Sequence, residues 1–284
     1  MIKYLGIGIN NYPSAPLRGC VPDIDTVSRF FYKRGVPYRN MRTVTDLATR
    51  RATKFGIWDR LYHVCESTKP GDQLIVHYSG HGAQVPERND GEVDKLTEVL
   101  CPVDFDFENP NTWICDNDFV GVFQQLNHDV DCTVILDSCF SGGMVDLGTR
   151  GIADDEFPDY EHDIPSIPKA YPLEGNIDLR IRLESAKERP ILRRPFLKTS
   201  LMPDVCFILG CQEDQTSADA YFASEGYRGA LTYHLFKAFA ENPQLSRREC
   251  VAVAAKAISD DDFSQVPMIV GPDELLRKPF LAKS

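Results

Sequence analysis

Four strand-length apolar runs, Tyr4–Ile9, Gln73–Ser79, Cys132–Asp137 and Val205–Leu209, recur along the chain, and the stretches between them lengthen their apolar period to that of a helix. A run that is apolar at nearly every position has no face to give to water, so a sheet made of such runs has to be covered on both sides. Asn40–Thr45 is a weaker strand candidate. Pro22 followed by Val27, Phe30 and Phe31 predicts a helix opening at the proline. Over Ala52–Glu66 the spacing places Phe55, Trp58, Leu61, Tyr62 and Cys65 on one helical face, and Phe119, Val122, Phe123 and Leu126 fall at i, i+3, i+4 and i+7. This alternation predicts an α/β fold, a mostly parallel central sheet with helices on both faces.

The pattern stops after about Leu147 and resumes near Val205. The interval holds seven prolines, an acidic first half (Asp154 to Asp163) and a basic second half (Arg180 to Lys198), and reads as a long linker. The expected organisation is therefore 1–147 carrying most of the sheet, 148–203 as a Pro-rich charged insertion, and 204–284 completing the same domain with helices over Leu231–Ala240 and Cys250–Ile258 and a short apolar run at Val266–Val270.

Composition narrows the partners. Hydrophobic residues at 43% and charged residues at 26% are ordinary globular values, which excludes wholesale disorder. A formal net charge of −11 makes a poor binder of phosphate backbones, so nucleic acid is not an expected partner. No apolar run reaches membrane-spanning length, and the first strand begins at once, with no leader expected before it. Nine cysteines, an odd number without a C-x-x-C pair, point to free thiols in a reducing compartment, by default the cytoplasm.

Two of the apolar runs end in a reactive residue among small ones: Tyr78-Ser79-Gly80-His81-Gly82 and Asp137-Ser138-Cys139-Phe140-Ser141-Gly142-Gly143. Open parallel sheets build their sites beyond the carboxyl ends of strands, where such a histidine and cysteine can meet. An imidazole there can take a thiol proton and return it to a leaving amine, and the backbone N–H groups of Gly82 and Cys139 can stabilise an oxyanion. A dinucleotide fingerprint is excluded because Asn11 stands where Gly6-Ile7-Gly8 would need its third glycine, and His77 with His81 shares a strand rather than a metal-binding helix face.

These two motifs resemble the catalytic motifs of metacaspases, the caspase-like cysteine peptidases of bacteria, protists, fungi and plants. The likeness extends to Gly8-Ile9-Asn10, Arg18-Gly19-Cys20-x-x-Asp23, Pro102-Val103-Asp104-Phe105 and Gly210-Cys211-Gln212-Glu213-Asp214-Gln215-Thr216-Ser217-Ala218-Asp219-Ala220. It is that of a short, bacterial-type member without a prodomain. The resemblance implies a caspase-like sandwich, a His81–Cys139 dyad, and cleavage after Arg or Lys in a pocket whose positions match Cys20, Asp23, Ser79 and Asp137. Carboxylates such as Asp23 and Asp137 are what a guanidinium or ammonium group needs opposite it.

The same resemblance raises calcium, at positions matching Thr97, Asp116, Asn117 and Asp146. Only two of the four are acids, so a weak requirement or none is expected. The partners expected are protein or peptide substrates with Arg or Lys at the cleaved position, for a monomeric enzyme, with self-cleavage at a basic residue between Arg180 and Lys198. Two other readings stay open: an inactive caspase-like module that binds peptides or regulates, and a peptidase of different preference.

Overall fold

The strands predicted from apolar runs all form, and the sheet they build brings the two reactive loops side by side. The structure, a computed structural model, describes residues 1–47, 52–89, 92–139, 166–171, 192–194, 205–212 and 215–281. Its strands are β1 (Ile2–Gly8), β2 (Met41–Thr45), β3 (Gln73–Ser79), β4 (Gly82–Asn89), β5 (Glu92–Leu100), β6 (Ile114–Cys115), β7 (Asp131–Asp137), β8 (Ser166–Pro168), β9 (Leu192–Arg194), β10 (Val205–Leu209), β11 (Ala218–Phe222), β12 (Gly226–Gly229) and β13 (Met268–Val270). The helices are α1 (Cys20–Lys33), α2 (Lys54–Glu66), α3 (Asp116–Phe123), α4 (Ala230–Glu241), α5 (Arg247–Asp260) and α6 (Asp273–Leu276).

The main sheet runs β13-β10-β7-β3-β1-β2, parallel throughout except for the antiparallel edge strand β13. Alternate residues of each central strand face opposite layers. Leu74 and Val76 pack with Ile57 and Leu61 of α2 and with Phe119 and Val122 of α3 on one side. Ile75 packs with Phe31 of α1, Leu235 of α4 and Ala254 of α5 on the other. Both faces are thus closed, as the unbroken apolar runs require.

The face of α2 differs from its prediction. Ile57, Leu61, Val64 and Cys65 are buried, while Phe55 is 75% and Trp58 38% exposed. The aliphatic stripe at i, i+4, i+7, i+8 fits the sheet, and the two large rings, Trp58 and Tyr62, stack on each other at 5.3 Å instead. A count of apolar residues per face cannot separate these stripes when aromatic and aliphatic residues alternate.

Two smaller antiparallel groups sit beside the sheet. β5 pairs with β4 and β6, and also with β9 in parallel. β11 lies between β12 and β8, with Ala218 opposite Pro168 and Asp219 opposite Ile167. β8 and β9 both belong to the interval expected to be a linker.

One buried ion pair ties α5 to the start of β7. Arg247 is fully buried, and its guanidinium donates to both carboxylate oxygens of Asp131 (2.7 and 2.8 Å) and to the Leu275 carbonyl at 2.9 Å. Removing the carboxylate leaves a buried cation uncompensated. Asp131→Ala is expected to lower the unfolding free energy by about 3 kcal/mol in denaturant titrations. The pair Asp131→Leu with Arg247→Met should recover most of that loss, since no charge is then stranded.

Candidate active site

β3 and β7 are neighbours in register, with Ser79 opposite Asp137, so the segments carrying His81 and Cys139 leave the sheet at the same level. The His81 turn is held from beneath by two phenols. The His81 N–H donates to the Tyr12 hydroxyl at 3.0 Å, and the Tyr78 hydroxyl donates to the His81 carbonyl at 2.8 Å. Gly80 fits between them because a Cβ there would lie 2.7 Å from each hydroxyl.

His81 Nε2 lies 2.7 Å from the Ala15 carbonyl, which assigns its proton to that nitrogen and leaves Nδ1 the unprotonated one, without a hydrogen-bond partner among the described residues. Burial pushes the imidazole down to about 4, against the opposing pull of the Ala15 and Lys169 backbone groups. Burial also holds the Cys139 thiol well above its usual range. The two groups are therefore a neutral imidazole and a neutral thiol at pH 7. Cys139 Sγ lies 4.0 Å from the Ser217 carbonyl.

Beside them, the expected pocket residues converge. Cys20 and Asp23 come from the first turn of α1, Ser79 from the end of β3 and Asp137 from the end of β7, all buried. A residue with no sequence signal stands at their centre. The Lys169 ammonium, with no exposed surface, lies 3.0 Å from Asp137 and 3.7 Å from Asp23. It also donates to the Ser79 hydroxyl at 2.9 Å, which in turn donates to Asp23 at 2.7 Å.

The two acids differ in what else reaches them. Burial pushes Asp23 up to about 8, outweighing the nearby ammonium. Burial would raise Asp137 as well, yet Lys169 and the donors Thr232 and Ser217 hold it below its usual value. Thr232 supplies its N–H (2.9 Å) and hydroxyl (2.7 Å) from the first turn of α4, where the helix dipole also favours an anion. The pocket wall opposite is Gly229, where a Cβ would meet Asp137 and the Lys169 ammonium within 2.3 Å.

The backbone around Lys169 is equally engaged. Its N–H donates to the Ser217 carbonyl at 2.9 Å, and its own carbonyl accepts from the Gly82 N–H at 3.0 Å. The Cys139 N–H, the other donor expected, does not bond to that oxygen. One residue further, Ala170 bridges to Gly82, and the Tyr171 N–H donates to the Gly82 carbonyl at 2.9 Å. Segment 166–171 thus lies across the His81 and Cys139 ends as an extended strand, its lysine in the acidic pocket.

Sequence reasoning missed Lys169, Gly229 and Thr232, which no spacing marks. Ser217 and Asp219 were visible only as members of a motif. Buried Asp219 holds the loop into α1 by accepting from the Arg18 and Gly19 N–H groups at 2.6 and 3.1 Å. The basic stretch from Arg180 to Lys198 lies outside the described residues, apart from β9.

Of the calcium positions, Thr97 is on β5, Asp116 and Asn117 open α3, and Asp146 lies outside the described residues. Among the described residues no group of three or more His, Cys, Asp or Glu side chains could hold a metal ion. Nor is any described helix long and apolar enough to cross a membrane.

The Metacaspase, peptidase C14 domain family model matches residues 3–148. Metacaspase-2 of Trypanosoma brucei brucei is 29% identical over 281 residues, covering 94% of this chain and 72% of that protein. Metacaspase-1 of Meyerozyma guilliermondii is 30% identical over 291 residues, covering 94% and 68%. Caspase-1 from Spodoptera frugiperda shares the fold at a TM-score of 0.56 and 10% identity, over 95% of this chain and 86% of that one. With its sheet, its strand-end histidine and cysteine and these relatives, the chain belongs to the metacaspases and is a cysteine-type peptidase.

Proposed function

We propose that this chain is an endopeptidase cutting after Lys or Arg, made as a latent enzyme whose own Lys169–Ala170 bond is its first substrate. The observation that carries this reading is the seating of Lys169: ammonium between two buried carboxylates, carbonyl oxygen on the Gly82 N–H. A side chain placed there only to neutralise acids would not also need its peptide carbonyl at the expected oxyanion donor.

The steps use protein groups alone. His81 Nδ1 takes the Cys139 thiol proton as the sulfur attacks the Lys169 carbonyl carbon, and the oxyanion forms on the Gly82 N–H. The tetrahedral intermediate collapses with cleavage of the C–N bond, and His81 delivers the proton to the departing Ala170 amine. Water, deprotonated by His81, then hydrolyses the thioester and restores the thiol. Because imidazole and thiol both start neutral, the proton moves during attack, and no standing thiolate is exposed to solvent beforehand.

Cutting after Lys or Arg follows from the charges. One cation faces two buried acids, and burial favours leaving a proton on Asp23 while Asp137 stays ionised. A neutral or acidic side chain in the same place would strand the Asp137 charge. The nine cysteines are all free, which supports action in a reducing compartment such as the cytoplasm.

The proton on Asp23 gives stability a pH dependence. An unfolded aspartate releases its proton near about 4, whereas folded Asp23 keeps it to about 8. The folded state binds the extra proton in that window, so this contribution is complete below it and is lost as pH rises through it. Denaturant titrations of Cys139→Ala and of Cys139→Ala with Asp23→Asn should therefore diverge, the first losing stability relative to the second from pH 4.5 to 7.5. Parallel profiles would place the proton elsewhere.

The cleavage itself is tested by mass. Incubated wild-type chain should yield fragments ending at Lys169 and beginning at Ala170, absent from Cys139→Ala and from Lys169→Ala. Fluorogenic peptides with Arg or Lys at the cleaved position should be turned over, and those with Asp or Leu left intact. Turnover of the Leu or Asp peptides in preference would overturn the pocket assignment.

A further inference from the structure

The segment stays bound beyond the bond that faces Cys139. Tyr171, two residues after Lys169 and three past the end of β8, is only 8% exposed. Its ring meets four others edge-on: Phe105 at 5.1 Å, His81 at 5.4 Å, Tyr12 at 5.7 Å and Phe107 at 5.8 Å. Its hydroxyl accepts from the Ser14 hydroxyl at 3.0 Å. Edge-on packing around a central ring is the arrangement aromatic quadrupoles favour, and it selects for a flat side chain over a branched one.

The walls of this niche come from two loops that are braced without help from the segment. Tyr12 donates to the Cys101 carbonyl at 2.9 Å and packs against Tyr78. Phe105 and Phe107 pack on each other at 4.8 Å, and their loop is pinned by Trp113 Nε1 donating to the Asp106 carbonyl at 2.7 Å. The niche is a preformed cup, therefore, and Tyr171 is its present occupant, held in register by its N–H on the Gly82 carbonyl.

We propose that Tyr12, Ser14, Phe105 and Phe107 form a subsite for an aromatic residue at the second position after the cleaved bond, and that Tyr171 uses it to anchor the chain's own segment. This rests on the reading of Lys169–Ala170 as a bound substrate. The substrate class becomes peptides carrying Lys or Arg, then any small residue, then Tyr or Phe. Two pockets on either side of the reacting carbonyl fix the strand in one register, which a single pocket would not do.

Two arms test it. In the first, the self-processed wild-type enzyme is given internally quenched peptides of sequence Ser-Ile-Pro-Lys-Ala-Tyr and the same with Ala in the last place. The Tyr peptide should have about tenfold higher kcat/KM, mostly through KM, and Phe should retain most of the gain. In Phe105→Ala that ratio should fall toward one, whatever the variant's absolute rate. Equal efficiency on the Tyr and Ala peptides overturns the subsite.

The second arm needs no activity of the protein itself. Limited trypsin digestion of the Cys139→Ala chain should cut after Lys169 at least several-fold faster once Tyr171→Ala is added, but not with Tyr171→Phe. Unchanged digestion overturns the anchor. Peptides left uncut by the enzyme while the trypsin arm succeeds would indict the peptidase reading of Lys169 and leave the niche standing.

Discussion

The site depends on one interaction, a fully buried lysine ammonium between two fully buried carboxylates. Removing such groups from solvent costs several kcal/mol per ion, and their attraction offsets that only where every remaining donor and acceptor is met. Here they are met unevenly. Asp137 has two hydroxyls, a helix N-terminus and the ammonium at 3.0 Å, whereas Asp23 has Ser79, the Gly229 N–H and an ammonium at 3.7 Å. The imbalance accounts for the opposite directions of the two acids, burial pushing Asp23 up while its fuller set of partners holds Asp137 below its usual value.

That pocket exists because the sheet is parallel. Gly8, Ser79 and Asp137 stand side by side in three adjacent strands, so every chain turns out of the sheet on the same edge and within a few ångströms of the next. β1 needs glycine at its end because Cys20 and Ile24 of α1 press against it, where a Cβ at Gly8 would come within 2.6 Å of the Cys20 carbonyl. The close approach of α1 is what carries Asp23 in over the strand ends. Packing of a helix on a sheet and placement of a charge are here the same event.

The strands and the two reactive loops were legible in the sequence because burial on both faces writes an unbroken apolar run, and a glycine-flanked nucleophile at its end has little structural motive. The buried face of α2 was misread, since Phe55 and Trp58 satisfy the helical period as well as Ile57 and Val64 do. Lys169 was illegible for a different reason. Ser166–Pro168 adds to β11 through backbone hydrogen bonds, which leave no mark on side-chain pattern, and its prolines and charges resemble those of any solvated linker. Seven basic residues lie from Arg180 to Lys198, and nothing local distinguishes the lysine that fills the pocket from those. Its identity is set by distant residues, Asp23, Asp137 and Gly229, which meet only in the folded chain.

Strand addition also frames the question of selectivity. Pairing between β8 and β11 is made of main-chain groups and accepts nearly any sequence without proline at a donating position, so it supplies affinity without discrimination. Pro168, which has no N–H to donate, stands opposite Ala218, whose own N–H donates to Gln265 at 2.8 Å. Discrimination has to come from side chains that leave the strand into built cavities. Lys169 and Tyr171, about the carbonyl that rests on Gly82, both do so, the first meeting carboxylates and the second a ring of aromatic side chains. A chain cut only where both are satisfied gains selectivity from geometry, since charge alone would accept any of the many surface lysines and arginines a protein presents.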